Sequence, residues 1–290
     1  MMITRGRGSW WDSLPWPPQT AAVVSAVSPV VVGTGVAAHF GLVPAGKSLA
    51  ALGIAICLGF GLLGLVGSVS RGAPTRVRLP SVRTVGRLPR SSASWLAAAL
   101  VLGVWLAATT AWWLLAVGAV GVAAAAALSQ PPVPNRAIGR DQLALVAAIE
   151  LLAGWGTIRV EMGRLPGLGL VAAILPASLA TALLILARMR AWSSDPADHE
   201  PGTVAGLSRK GTKNLFQGLL GLALAVPLLI TVPGLDGAEC FLPWLLAPLA
   251  EGPLRNSRSA ELVLRQRAVR QTAVLLLACS GLLAVGIWTG

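Results

Sequence analysis

The chain has 290 residues, of which 55% are hydrophobic and 12% charged, with 23 Lys and Arg against 11 Asp and Glu. A soluble globular chain carries about 25% charged residues, so this composition excludes a disordered chain, a coiled coil and an ordinary soluble enzyme. It predicts an all-α integral membrane protein.

A helix needs about 20 apolar residues to cross ~30 Å of hydrocarbon. In chain order the candidate spans are 20–40, 48–69, 94–110, 112–128, 142–158, 166–187, 214–232, 238–250 and 271–289. They follow a polar, Trp-rich segment, 1–19, which does not read as a cleaved signal peptide. With it they form one predicted transmembrane domain over 1–290. The third and fourth spans need a tight hairpin at Thr109-Thr110-Ala111-Trp112. The eighth is short and interrupted by Pro243 and Pro248, so a re-entrant segment is an alternative there.

Loop charge supports this division. Lys47, Arg159 and Arg164 fall in one alternating set of loops, and the other 20 cations fall in the second set. No Lys or Arg is then left inside a span. The positive-inside rule predicts a multi-pass protein of the cell inner (plasma) membrane, with its N-terminus cytoplasmic and its C-terminus outside. The basic excess is spread over short loops and not gathered on a polar domain, so the bilayer is the predicted partner and nucleic acid is not. Trp16, Trp95, Trp112, Trp113, Trp155, Trp192, Trp244 and Trp288 fall near span ends, where indoles anchor at the interface. Cys57, Cys240 and Cys279 are isolated in apolar runs, a spacing that suits neither a disulfide framework nor a metal site.

Glu239 stands at the very start of the eighth predicted span, and Glu150 is the one acid in the interior of a predicted span. It reads either as a cavity group that binds a cation or moves a proton, or as a structural carboxyl satisfied by polar neighbours. Two basic-end loops carry the remaining chemistry. Loop 70–93 holds six Arg and no acid. Their planar forks suit phosphate or diphosphate, and they also suit anionic lipid head groups or topology alone. Loop 188–213 clusters Asp195, Asp198, His199 and Glu200 among basic residues. Acids at this spacing suit Mg²⁺ beside a diphosphate, while Pro196 and Pro201 keep part of the loop from being helical. No GxSxG, Walker A or HExxH motif occurs.

Four stretches in order, AAVVSAVSPVVVGTGVAA, SRGAPTRVRLPSVRTVGRL, RKGTKNLFQGLLGLA and LAPLAEGPLRNSRSAELVLRQ, resemble the UbiA superfamily of membrane prenyltransferases. The closest branch is the 1,4-dihydroxy-2-naphthoate polyprenyltransferases of menaquinone synthesis. The resemblance implies about nine helices around a central cavity open to the cytoplasm, with loops 70–93 and 188–213 facing each other across its mouth. It also implies an isoprenoid or quinone lipid as ligand. Family members hold a prenyl diphosphate through Mg²⁺ on two Asp-rich motifs. Here the first motif's place, 64–68, reads GLVGS, and the second's, 187–195, reads ARMRAWSSD, in which only Arg190 and Asp195 match. The resemblance therefore implies anion binding by Arg71, Arg83 and Arg190, and leaves Asp195, Asp198 and Glu200 as ligands for a single Mg²⁺. The expectation is a family member that binds an isoprenoid or quinone-type lipid with the standard Mg-diphosphate site largely lost: a divergent enzyme or a pseudoenzyme supporting a membrane-protein partner. The alternatives are an active prenyltransferase or terpene cyclase with altered diphosphate binding, and a small-molecule transporter built around Glu150.

Overall fold

A computed structural model describes residues 20–42, 44–71, 90–116, 118–121, 140–189, 209–232, 237–257 and 262–290, and no strand occurs among them. The main helices are α1 (Thr20–His39), α2 (Ala45–Arg71), α3 (Arg90–Thr109), α4 (Arg140–Met162), α5 (Gly167–Ala172), α6 (Ile174–Met189), α7 (Arg209–Thr231), α8 (Ala247–Ser257) and α9 (Leu262–Thr289). A 3₁₀ segment, Ala238–Leu246, leads into α8. Among the described residues, five stretches are long and apolar enough to cross a bilayer: Thr20–His39, Leu143–Met162, Gly167–Ala187, Lys210–Thr231 and Gln266–Thr289. Ala45–Gly61 and Ala93–Thr109 are shorter apolar helices. Of the predicted fourth span, 112–128, residues 117 and 122–128 lie outside the described residues.

Several helices outrun their apolar cores. The last begins at Leu262 and not at 271, so Arg265, Arg267 and Arg270 are helical; the seventh begins at Arg209 and not at 214; α4 runs on to Met162 and so includes Arg159 and Glu161. This corrects the expectation that spans exclude every cation. Lys and Arg are good helix formers, and extending an existing helix is cheap once its nucleus has formed. Apolar length therefore marks the membrane-crossing part of a helix and not its ends.

Proline explains the breaks. Pro176 has no N–H to give the Ala172 carbonyl, and the helix is interrupted there between α5 and α6. Pro243 lies inside the 3₁₀ segment. That segment starts beside α9's far end, where Glu239 lies against Gly286. Its continuation, α8, reaches α9's near end, where Asn256 donates to Gln271 Oε1 at 2.9 Å. The segment thus follows α9 along about 22 Å of its length, at ~1.5 Å per residue, and does not double back.

At the centre, α1, α4, α6 and α9 pack in a cycle, with α2–α3 against the α1–α4 side and α7, the 3₁₀ segment and α8 against the α6–α9 side. Between helices in lipid, close van der Waals packing replaces the hydrophobic drive. Small residues supply it here: a Cβ on Gly35 of α1 would stand 2.6 Å from the Ala284 backbone of α9. One contiguous set of buried side chains, including Val32, Val36, Ile158, Leu175, Leu179, Leu276 and Leu283, fills the middle. These side chains belong to all four central helices, α1, α4, α6 and α9, among the described residues.

The contacts also fix chain direction. Ser25 meets Glu150 and Thr34 meets Glu161, so α1 and α4 run parallel. Gly61 faces Leu96 and Gly46 faces Trp105, so α3 runs antiparallel to α2 and parallel to α1. α3 and α4 therefore point the same way, and the end of α3 and the start of α4 lie at opposite ends of the bundle.

Candidate functional site

Direction decides which polar groups share an end. At one end, the Lys47 ammonium donates to the Val160 carbonyl at 3.5 Å, the Arg164 guanidinium lies 5.4 Å from the centre of the Phe40 ring, and His39 Nδ1 donates to the Ile287 carbonyl at 2.8 Å. Lys47 and Arg164 belong to the cation-poor loop set, and the C-terminus of α9 joins them there. At the other end, Leu143, Met189, Phe216 and Ala268 form a second apolar cluster where α4, α6, α7 and α9 meet. Loops 70–93 and 188–213 both leave from this second end, since α2 ends and α3 begins there, as do α6 and α7.

Arg71 is the last residue of α2 at this end. Arg83, Arg190, Asp195, Asp198 and Glu200 lie outside the described residues. Among the described residues, no group of three or more His, Cys, Asp and Glu side chains comes together as a metal site would require.

Glu150 is described fully. It is 8% exposed, on α4, and its Oε1 accepts a hydrogen bond of 2.5 Å from the Ser25 hydroxyl of α1. Its other oxygen, Oε2, has no partner among the described residues. One carboxylate oxygen of the two is thus met by a polar neighbour.

Sequence reasoning missed a second buried acid. Glu161 is 7% exposed, its Oε1 accepts from the Thr34 hydroxyl at 3.0 Å, and the Ser48 hydroxyl of α2 also bears on its carboxyl. It was missed because the fifth span was drawn to end at 158. The signal lay in the periodicity: Glu150, Gly154, Thr157 and Glu161 are spaced i, i+4, i+7, i+11, one stripe of a helix. Between the two acids the stripe is closed. A Cβ on Gly33 would stand 2.8 Å from Thr157, and one on Gly154 would stand 3.0 Å from Ala173 and 3.7 Å from Pro29. α1 and α4 are thus in close contact between the two carboxyls.

Two tryptophans serve as polar ties between helices. Trp155 donates from Nε1 to the Leu170 carbonyl at 3.3 Å, and Trp244 donates to the Leu224 carbonyl at 2.7 Å. Trp155 sits two turns inside α4, because that helix is longer than its apolar core.

No family model matches the chain. Among curated proteins, it is 31% identical over 281 residues to the 1,4-dihydroxy-2-naphthoate octaprenyltransferase of Mycobacterium tuberculosis, covering 90% of this chain and 93% of the relative. It is 29% identical over 247 residues to the protein of the same name from Mycobacterium leprae, covering 82% and 83%. With apolar helices built to pass repeatedly through a bilayer and a likeness that runs through nearly its whole length, the chain belongs to the UbiA family of membrane prenyltransferases.

Proposed function

We propose that this protein binds an isoprenoid or quinone-type lipid at the basic end of the bundle, and that it holds an anionic head group by arginine and not by a carboxylate-bound metal. The end of α2 carries this reading. Residues 64–68 are helical and read GLVGS, where the family resemblance places the first pair of metal-binding acids. Gly, Leu and Val offer no side-chain oxygen, and one Ser hydroxyl is a neutral donor. A hard cation that takes oxygen ligands, charged ones above all, does not fit this half of the site. Asp195, Asp198 and Glu200 remain as donors for one Mg²⁺ on the other side. No step of the proposed function runs through that ion.

Arginine can do without it. Arg71 ends α2, and Arg190 is the next residue in the chain after Met189, where α6 ends at the same end of the bundle. A guanidinium presents paired N–H donors that match two phosphate oxygens and stays charged at any relevant pH. In this reading the chain has nine spans, a cytoplasmic basic end in the plasma membrane and an outside C-terminus. It acts as a divergent or non-catalytic family member, with a membrane-protein partner as its setting.

The mycobacterial relatives favour a second reading. They are octaprenyltransferases by name and align over 82–90% of this chain, which suits an active prenyltransferase or terpene cyclase with altered diphosphate binding. A transporter built around Glu150 has less support, because the α1–α4 seam is closed between the two acids.

The deciding experiment titrates octaprenyl diphosphate into the protein in lipid nanodiscs, with Mg²⁺ and with EDTA, and assays prenyl transfer to 1,4-dihydroxy-2-naphthoate by chromatography. Binding that persists in EDTA without product supports the proposal. Binding abolished by EDTA, or formation of the prenylated naphthoate, overturns it in favour of catalysis.

A further inference from the structure

We infer that the cation-poor end of the bundle holds the head group of an anionic phospholipid, on a patch that Lys47, Arg159 and Arg164 form around the end of α4; this concerns the opposite end of the molecule from the proposed arginine site and goes beyond it. These are the only three Lys and Arg that the sequence leaves to this set of loops. They come from two separate loops, and packing brings them to one place. The Lys47 ammonium reaches the Val160 carbonyl at 3.5 Å, Arg159 precedes Val160 in the chain, and Arg164 follows it by one turn. Like charges repel, so topology alone gives these three no reason to meet.

Two left-handed glycines hold the patch in shape. Gly41, at φ 70°, ends α1: its N–H donates to the Ala38 carbonyl at 2.9 Å, and the Leu42 N–H donates to the Ala37 carbonyl at 3.0 Å. Gly163, at φ 72°, ends α4, and its N–H donates to the Arg159 carbonyl at 2.9 Å. Glycine adopts this backbone without strain. The two turns then brace each other. Arg164 lies 5.4 Å from the centre of the Phe40 ring, next to Gly41, and Lys47 reaches from the start of α2 to α4. A cation–ring contact consumes no N–H, so the five guanidinium donors of Arg164 remain, and Lys47 keeps two of its three. Arg159 is exposed on α4. The cations are therefore positioned in advance, with donors to spare.

Depth and charge select the occupant. The apolar stretches Thr20–His39 and Leu143–Met162 end here, which puts the three cations at the level of lipid phosphates. Indoles mark the same level: a Cβ on Gly46, beside Lys47, would stand 3.8 Å from the Trp105 ring, and the exposed Trp112 and Trp113 follow α3. A phosphodiester offers two acceptor oxygens and a negative charge to this set of donors, and basic pockets between membrane helices take such head groups. A choline head group also brings an ammonium, which these cations repel. The described acids at this end stand off the patch. The Glu161 carboxyl turns inward to Thr34 and Ser48, and Glu239 lies against Gly286 on the α9 side.

The test places p-benzoylphenylalanine at Leu42, which is 44% exposed between Phe40 and Lys47. The protein is put into nanodiscs of phosphatidylglycerol diluted in phosphatidylcholine, irradiated, and its crosslinked lipid identified by mass spectrometry. With the patch intact, phosphatidylglycerol should be captured above its share of the disc. Lys47→Gln, Arg159→Gln and Arg164→Gln should each lower that enrichment about fivefold, the equivalent of ~1 kcal/mol per basic side chain. Arg270→Gln, at the other end, should leave it unchanged. Thermal unfolding checks the fold, and if the Lys47 or Arg164 variant loosens the turns, Arg159→Gln decides. Capture at the disc's own ratio, enrichment indifferent to the three substitutions, or an equal loss with Arg270→Gln overturns the inference. Enrichment displaced by inorganic phosphate would also overturn it, in favour of a free-anion site. No prenyl diphosphate enters these samples, so the result is independent of the reading at the basic end.

Discussion

The Ser25 hydroxyl of α1 donates to Glu150 Oε1 of α4 at 2.5 Å, a side-chain contact between residues 125 apart in the chain. Eleven residues further along α4, Thr34 repeats the arrangement with Glu161 at 3.0 Å. Between them lies a contact made by Gly33, Gly154 and Thr157. The seam is thus close-packed in the middle and tied by a polar bond at each end, and those bonds set its register. In lipid such interhelical bonds average about 0.6 kcal/mol and reach about 1.7.

A double-mutant cycle tests the tie at Ser25. Ser25→Ala and Glu150→Leu should each lower the midpoint of thermal unfolding in detergent, and the double variant should lose less than the two together, with a coupling of about 0.6–1.7 kcal/mol. Glu150→Gln keeps a carbonyl oxygen for the Ser25 hydroxyl and should cost least of the three. Strictly additive losses would show that the pair does not interact.

The α1–α9 contact should be the more sensitive one. Gly35→Val puts side-chain atoms into the space of Ala284 backbone, where neither side can move without parting the helices. Overpacking of this kind costs roughly 1–3 kcal/mol or more. Gly103→Ala, which has nothing within 4 Å of its new Cβ, should be neutral or slightly stabilising through helix propensity. Equal unfolding midpoints for the two variants would mean that α1 and α9 do not pack in this register.

Much of this architecture was legible from residues alone. Apolar runs located the helices of every described span, because a crossing segment has no other way to satisfy its backbone in hydrocarbon. What escaped was set by tertiary packing. Glu161 lay outside the predicted span because Arg159 beside it looked like a loop residue, yet Arg159 is exposed while Glu161 turns inward. Gln271 marked the predicted start of the last span, and its pairing with Asn256 depends on α8 lying alongside α9. Arg83, Arg190 and the acids at 195–200 fall outside the described residues, so the first-named anion and metal candidates still rest on sequence and family likeness.

Chain direction makes a prediction that needs no ligand. In a background with Cys57, Cys240 and Cys279 replaced, Lys47→Cys and Arg164→Cys should react with a membrane-impermeant maleimide added to intact cells. Lys210→Cys and Arg255→Cys should react only after the cells are opened. Lys47 and Arg164 share an end through Val160 and Phe40, while Lys210 and Arg255 lie near the helix ends at the cation-rich side. The opposite labelling pattern would invert the orientation and keep the fold. Labelling split within either pair would contradict the fold itself.

The arginines provide the sharpest test of the proposed site. If a diphosphate is held without a full metal site, its charge must be met by groups that are always cationic, and Arg71, Arg83 and Arg190 are the ones the family likeness singles out. A charge-assisted hydrogen bond is worth about 1.5–3 kcal/mol. Replacing one of these three by Ala should then weaken octaprenyl diphosphate binding by roughly ten- to a hundredfold, in EDTA as in Mg²⁺. Arg270, exposed on α9 at the same end, serves as the control, and its Ala variant should bind within about twofold of wild type. An equal loss at Arg270 would mean that general positive charge attracts the ligand, and raising the salt concentration should then erase the binding altogether. Loss confined to Arg71, Arg83 and Arg190, and resistant to salt, would define a site.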